Sequence, residues 1–214
     1  MNDKPNSTTG VQVSSANSLA VEDLGSAAQR DRRKRILDAT IALASQGGFD
    51  AVQMRGVAEQ ADVALGTLYR YFPSKIHLLV SALQREFERT ESIMRERPSD
   101  GDTVADRVIN TLKRTTRGMQ SDPQLTEALT RAFMFADASV AAEIHQVGML
   151  LTSMLTRVMH PEGGHTQLTE EDVAIARVIG DVWLSALVGW VTGRSTAVET
   201  GQQIEVAVKL LLRD

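Results

Sequence analysis

Apolar residues recur at helical spacing along almost the whole chain from residue 27 onward. Ile36, Leu37, Thr40, Ile41 and Ala44 recur at three- and four-residue spacing, as on one side of a helix, and Gly47-Gly48 ends that stretch. No alternating pattern of any length predicts a strand, and the sequence contains no internal repeat. We therefore predict an all-α fold with about nine helices.

Several helices carry recognisable start signals, in which a short polar side chain precedes an apolar periodic stretch. These signals are Ser74, Thr103 with Asp106, Asp122-Pro123 and Thr169. A further helix is predicted from about residue 138 to residue 159, and Thr200-Gly201 precedes or begins the last one.

The first 26 residues differ from the rest, because they are rich in Asn, Ser and Thr and contain no long apolar run. They resemble neither a signal peptide nor a packed helix, and we predict a disordered tail over residues 1–26. The densest apolar stretch, residues 182–191, is about half of the roughly 20 residues that a spanning helix needs. These features predict a cytoplasmic protein with no membrane partner.

Composition limits the classes of protein to consider. A chain of 214 residues with 43% hydrophobic and 23% charged residues is globular, and at about 150 residues per domain it has room for one domain and a smaller appendage. The absence of cysteine excludes a disulfide scaffold, a thiolate zinc finger and a cysteine nucleophile.

Charge is unevenly distributed, although the net charge of −4 argues against a protein that coats nucleic acid. Eight basic and five acidic residues between positions 30 and 77 leave a balance of +3, whereas fourteen basic and nineteen acidic residues beyond position 77 leave −5. A small basic head on a larger acidic body is typical of a protein that contacts nucleic acid through one module.

Residues 54–72 have the pattern of a helix-turn-helix: two short helices joined by a tight connection. Small side chains occupy the positions where the helices meet, and apolar ones form a small core. The small residues are Ala58, Ala61, Ala64 and Gly66, and the core residues are Val57, Val63 and Leu68. We predict a DNA-binding domain over residues 27–75 and an effector-binding and dimerisation domain over residues 76–214.

The second short helix of such a motif enters the major groove of double-stranded DNA, and nearby basic residues reach phosphates or the minor groove. The predicted DNA-binding residues are Arg30, Arg32, Arg33, Gln53, Arg55, Leu65, Gly66, Thr67, Tyr69, Arg70, Tyr71 and Lys75.

The run GTLYRYFPSKIHLL, with Val57-Ala58 before it, resembles the TetR family of bacterial transcriptional regulators over roughly residues 30–80. Two positions depart from the family pattern. Ala64 stands where a Ser or Thr usually caps the recognition helix, and Asp62 occupies the place of the usual turn glycine. The resemblance implies a homodimer that binds a palindromic operator.

Strings in both parts of the chain are similar to a branch of this family that represses cholesterol catabolism in actinobacteria. In the basic head they are AQRDRRKRILDAT and the helix-turn-helix stretch AVQMRGVAEQADVALGTLYRYFPSK. In the acidic body they are LTEALTRAFMFADAS and DVWLSAL. This resemblance implies a repressor released by a small steroid catabolite, carried as a coenzyme A thioester. A drug-responsive regulator of efflux genes is the alternative.

The effector is expected inside the body, between helices five to eight, although Met and Phe at helical spacing also suit a plain core. The candidate ligand-binding residues are Met119, Leu129, Phe133, Met134, Met149, Leu150, Met154 and Trp183. Arg131, Arg157 and Arg177 suit an acidic ligand or a surface ion pair.

The family's dimers form through helices eight and nine, and helix eight here is apolar on more than one face. A fully buried core helix explains the same pattern. The candidate interface residues are Val173, Gly180, Leu184, Leu187, Val191, Ile204, Val208 and Leu211.

Two other functions are less consistent with the sequence. His160, Glu162 and His165 suggest a metal site, but they lack helical spacing and further ligands. No glycine-rich phosphate loop or nucleophile signature is present, so we expect no enzyme activity, no cofactor and no metal. A purely architectural DNA-binding protein has no need of the long body.

Overall fold

The computed structural model describes residues 12–160 and 169–213, with side chains from residue 27 onward. These residues form nine α-helices, one 3₁₀ turn and no strand, which confirms the predicted all-α class. The helices are α1 (Gln12–Ala51), α2 (Met54–Gln60), α3 (Leu65–Tyr71), α4 (Lys75–Glu96), α5 (Val104–Gln120), α6 (Pro123–Met134), α7 (Ala141–Met159), α8 (Glu170–Val191) and α9 (Ala197–Leu211).

Helix α1 begins earlier than expected. Residues 1–11 lie outside the described residues, but the backbone is helical from Gln12, within the segment that was predicted to be disordered. Once a helix is nucleated by packing, each added residue costs little, and the Ala, Leu and Glu residues of this segment favour extension. The predicted end of the helix is confirmed, because Gly47 and Gly48 leave helical geometry and Gly48 has a φ of 66°.

The four predicted start signals all cap helices. Ser74 and Asp122 accept hydrogen bonds from backbone amides three residues on, and Thr103 and Thr169 form capping boxes with aspartates. The start of the last helix was predicted wrongly: Thr196 and Glu199 form its capping box, and Thr200 lies inside the first turn. The Thr-x-x-Glu spacing of that box was present in the sequence.

The helices of the head and the body pack around two hydrophobic cores. The first core joins α1–α4 to α6 and α7, and includes Ile36, Leu68 and Leu79. The second joins α5, α7, α8 and α9 around Trp183. Phe87 of α4 packs against both cores, so α4 and α6 tie the head to the body.

Helix α8 is the one described helix that is long and apolar enough to cross a membrane by composition alone. Its side chains at Ala176, Ile179, Trp183 and Leu187 are buried in the second core. A core helix of a folded domain has the same composition, and α8 packs as one.

A buried hydrogen bond in the second core supports a stability prediction. The indole Nε1 of Trp183 donates to Oγ1 of Thr116 at 2.8 Å, and both residues are buried. Thr116→Val leaves the indole donor unsatisfied, so we expect the free energy of unfolding to fall by about 1–3 kcal/mol in urea titrations. Thr115→Val is the control, since the Thr115 hydroxyl bonds only to the Thr111 carbonyl within the same helix. Equal losses in the two variants would contradict this role of Thr116.

Candidate DNA-binding surface and effector cavity

Helices α2 and α3 pack together through two of the four small residues that the sequence indicated, Ala58 and Ala61, whereas Ala64 and Gly66 are exposed. Val57, Ala58, Ala61 and Leu68 are buried, and the amide of Val63 donates to the Ala58 carbonyl at 3.0 Å to close the turn. Because one face of each short helix is buried in this contact, the opposite face of α3 is exposed to solvent. The helix-turn-helix geometry is therefore built from local packing.

Both departures from the family pattern have structural consequences. Asp62 takes a positive φ of 52°, as a residue replacing glycine in this turn must. Ala64 is the N-cap of α3 and makes no side-chain capping bond. The turn is held from α1 instead, because Nη1 of Arg35 donates to the Ala61 carbonyl at 2.7 Å. Arg35 is one of the eight basic residues between positions 30 and 77, and no sequence pattern predicted this contact.

The outward face of α3 carries most of its predicted DNA-binding residues. Leu65, Gly66, Tyr69 and Arg70 are exposed, with 46% of Tyr69 accessible to solvent, and Thr67 is half-buried. These groups lie on a convex helix that a major groove of about 12 Å admits. Their contact with bases stays a prediction.

The remaining predicted DNA-binding residues lie on α1, at the start of α2 and at the end of α3. Tyr71 is half-buried, Gln53 and Arg55 are exposed at the start of α2, and Arg33 stacks on Phe72 at 5.7 Å. The basic side chains of this set on α1 are Arg30, Arg32 and Arg33.

Lys75 is the least available of the predicted phosphate contacts. Its Nζ lies 3.9 Å from the centre of the Phe49 ring, and its side chain is half-buried. Burial lowers the pKa of Lys75 from its usual value, with a nearby Asp50 opposing the shift. A phosphate must therefore compete with Phe49 for this ammonium group.

A cavity of about 450 Å³ lies in the body between α4, α6, α7 and α8. Four predicted ligand-binding residues line it: Met119, Phe133, Met149 and Trp183. Leu83 and Phe87 of α4 also line it, together with Leu151, Leu184 and Leu187. The sequence predicted an apolar helix after Ser74 but no contact between that helix and a ligand.

The other predicted ligand-binding residues lie elsewhere. Met154 is buried in the body without lining the cavity, Met134 is 55% exposed, and Leu150 does not reach the cavity. Leu129 lines a neighbouring cavity. Helical period alone does not distinguish a cavity wall from packed core, and these four residues do not line the first cavity.

Of the three arginines suggested for an acidic ligand, two form ion pairs and one lines the first cavity. Arg131 pairs with Asp50 and Glu127 at 3.4 and 3.5 Å, and Arg157 pairs with Glu91 at 3.2 Å. Only Arg177 lines the first cavity, where its side chain is exposed at the rim near Asp181.

Several predicted interface residues belong to the protomer's own core. Leu187, Ile204 and Val208 are almost completely buried, and a Cβ added to Gly180 would come within 2.9 Å of Leu151. The alternative of a core helix is therefore correct for these positions. Val173, Leu184, Val191 and Leu211 are partly exposed.

Other apolar side chains of α8 and α9 face outward. Val178 of α8 is 45% exposed, and on α9 Val198, Val206 and Leu210 are 69%, 58% and 57% exposed. Val198, Val206 and Leu210 stand at spacings of eight and four, so they share one side of the helix. This outward apolar surface, defined by these four residues, is called the α8–α9 face below.

The suggested metal site is only partly described, because Glu162 and His165 lie outside the described residues. Nε2 of His160 lies 3.0 Å from Oδ1 of Asp172. The hydrogen bond from Thr169, with help from His160, lowers the pKa of Asp172 to about 2. No group of three or more His, Asp or Glu side chains suited to a metal occurs in the part of the chain that the structure describes.

Both parts of the chain match known protein families. Residues 36–82 match the family described as bacterial regulatory proteins, tetR family, and residues 101–211 match the tetracyclin repressor-like C-terminal domain. The chain therefore belongs to the TetR family of bacterial transcriptional regulators. Membership of that family places it among DNA-binding regulators of transcription.

Within the family, the chain is 58% identical over 199 residues to the HTH-type transcriptional repressor KstR of Rhodococcus jostii (strain RHA1). That alignment covers 93% of this chain and 91% of the relative. The curated KstR repressors are thus similar to this chain in the head and in the body alike.

Solved structures agree with this architecture. A TetR transcriptional regulator from Rhodococcus sp. RHA1 is 32% identical, with a TM-score of 0.78 over 87% of this chain and 97% of that one. The regulator FadR from Bacillus subtilis, solved in complex with stearoyl-CoA, shares the fold at 17% identity, with a TM-score of 0.62 over 84% and 97% of the two chains.

Proposed function

We propose that the protein is a homodimeric, cytoplasmic repressor that binds a palindromic operator and leaves it when a steroid catabolite, carried as a coenzyme A thioester, enters the body. The observation that carries this proposal is the position of α4. Leu78 and Leu79 of α4 are buried in the core that includes the head, while Leu83 and Phe87 of the same helix line the 450 Å³ cavity. One rigid element thus connects the cavity to the DNA-binding motif.

The connection acts through Phe87. Its ring meets Trp183 of α8 edge-on, with ring centres 6.0 Å apart, on the wall of the cavity. A ligand that displaces either ring must shift α4 relative to α8, because packed interiors do not deform continuously. The shift changes the distance between the two recognition helices of a dimer.

The cavity supports an apolar effector. Its size falls within the roughly 300–1,000 Å³ of typical ligand sites, and half of its lining residues are Leu, Met, Phe or Trp. The similarity to KstR favours a steroid, and the stearoyl-CoA bound to the FadR structure shows that this fold accommodates an acyl thioester. Asp181 is the one carboxylate on the described cavity wall, which gives little support for the cationic drugs of an efflux regulator.

Thermal unfolding with two ligand panels tests the effector class. A ligand at 100 times its Kd adds about 2.7 kcal/mol of stability, which raises Tm by several degrees in a chain of this size. We expect this shift with cholestenoic acid coenzyme A thioester and none with rhodamine 6G or ethidium. A shift with the dyes alone would favour the regulator of efflux genes.

The α8–α9 face is the proposed dimer contact, since it is apolar and exposed in the protomer. We expect the double substitution Val206→Glu with Leu210→Glu to convert the dimer to monomer at micromolar concentration, because two carboxylates per chain lose their hydration in the interface. Light scattering after size-exclusion chromatography measures the mass. The control places the same charges at exposed positions of α7, Gln146→Glu with Ser153→Glu. A dimer that survives the α9 changes would exclude this face.

A further inference from the structure

A second cavity of about 480 Å³ lies beside the first, between α4, α5 and α6. The two cavities share Leu83, Phe87 and Met119 as lining residues, so these three side chains form the partition between them. The wall of the second cavity also includes the polar side chains of Arg89, Thr90 and Arg114.

Arg114 is unusual among the arginines of this protein. Its Nη2 is buried and has no hydrogen-bond partner, and its guanidinium makes no ion pair within the residues that the structure describes. By contrast, Arg35, Arg85 and Arg131 all pair with carboxylates. Burying a cationic N–H group without an acceptor is unfavourable, so an acceptor that reaches this guanidinium from the cavity gains a charge-assisted hydrogen bond.

The acidic groups on the same wall do not neutralise Arg114. The Asp122 carboxylate is already occupied, because it accepts hydrogen bonds from Ser45 at 2.5 Å and from the Leu125 amide at 3.0 Å. Glu86 also lines the cavity but lies outside ion-pair distance of Arg114. The exposed Arg89 adds a second positive charge on this wall.

We propose that the second cavity binds the acidic head group of the effector, with Arg114 as its anchor and the apolar body of the effector in the first cavity. This inference rests on the proposed function. The planar guanidinium presents paired N–H donors that match a carboxylate or a phosphate. A ligand that fills both cavities must pass the partition and therefore displaces Phe87 of α4.

Arg177 is the competing anchor. It is exposed at the rim of the first cavity, where hydration already satisfies its charge, so it gains less from an anion than the half-buried Arg114 with its unpartnered Nη2. The two arginines lie in different cavities, and substitutions distinguish them.

Calorimetric titration of cholestenoic acid, its coenzyme A thioester and its methyl ester tests this assignment, because the ester keeps the apolar body and lacks the anion. In Arg114→Gln we expect the Kd of at least one anionic ligand to rise by about 10–100-fold, since hydrogen bonds to charged groups are strong and each tenfold corresponds to about 1.4 kcal/mol. The methyl ester should bind to this variant as it does to the wild type, which also shows that the variant is folded. Arg114→Lys should recover part of the loss, and Arg117→Gln, exposed on the same helix, should have no effect.

The pattern of losses identifies the anion. A loss for the free acid indicates a carboxylate at Arg114, and a loss for the thioester indicates a phosphate of its carrier. Unchanged affinity of both anionic ligands for Arg114→Gln, or a loss in Arg177→Gln instead, would overturn the Arg114 assignment and leave the proposed function standing. A wild-type protein that binds none of the three ligands would overturn the steroid effector itself.

Discussion

Replacing Leu68 with Ala is expected to lower the free energy of unfolding by about 2–5 kcal/mol, the largest effect among the substitutions considered. Leu68 lies in the middle of α3, has no solvent-accessible surface and belongs to the same core as Val57 and Leu79. Truncation leaves a cavity that the short helices α2 and α3 cannot close without losing their mutual geometry.

Urea unfolding followed by circular dichroism measures the Leu68→Ala effect. Leu65→Ala is the matched control, because it removes the same atoms from the same helix at a position that is 39% exposed. We expect the control to cost less than about 1 kcal/mol. Similar losses at the two positions would show that α3 does not pack through Leu68.

Replacing the neighbouring Tyr69 with Ala is expected to weaken operator binding while leaving the free energy of unfolding almost unchanged. Tyr69 is 46% exposed on the outward face of α3, so its loss changes stability little. If this face lies in the major groove, losing its contacts weakens operator binding by about 10–100-fold, equivalent to roughly 1–3 kcal/mol.

Fluorescence anisotropy with a duplex selected from random sequences by the wild-type protein measures this affinity. Arg95→Ala is the control, since Arg95 is an exposed arginine at the far end of α4 that pairs with Glu91. If Tyr69→Ala and Arg70→Ala both bind the duplex as tightly as the wild type, the recognition surface lies elsewhere.

The head was predictable because its structure depends on local signals. Ser74 caps α4, Asp62 adopts the left-handed turn, and Gly47 with Gly48 ends the regular part of α1. Each of these features depends on residues within one turn of the chain, which the sequence displays directly.

The body was less predictable because its helices are apolar on more than one side. Periodicity showed that Ile204 and Met154 face something apolar, but not whether that neighbour is the protomer core, a cavity or a partner chain. The structure places both in the core. The unpaired Arg114 was equally invisible, since its lack of a partner depends on which carboxylates other helices bring near it.

Filling the body cavities is expected to weaken operator binding through α4. Anisotropy of the labelled operator, repeated with increasing cholestenoic acid coenzyme A thioester, tests this coupling most directly. We expect saturating thioester to raise the operator Kd by about 5–150-fold, the range of typical allosteric coupling. An unchanged operator Kd, at thioester concentrations that raise Tm to its plateau, would show that filling the cavities does not control operator binding.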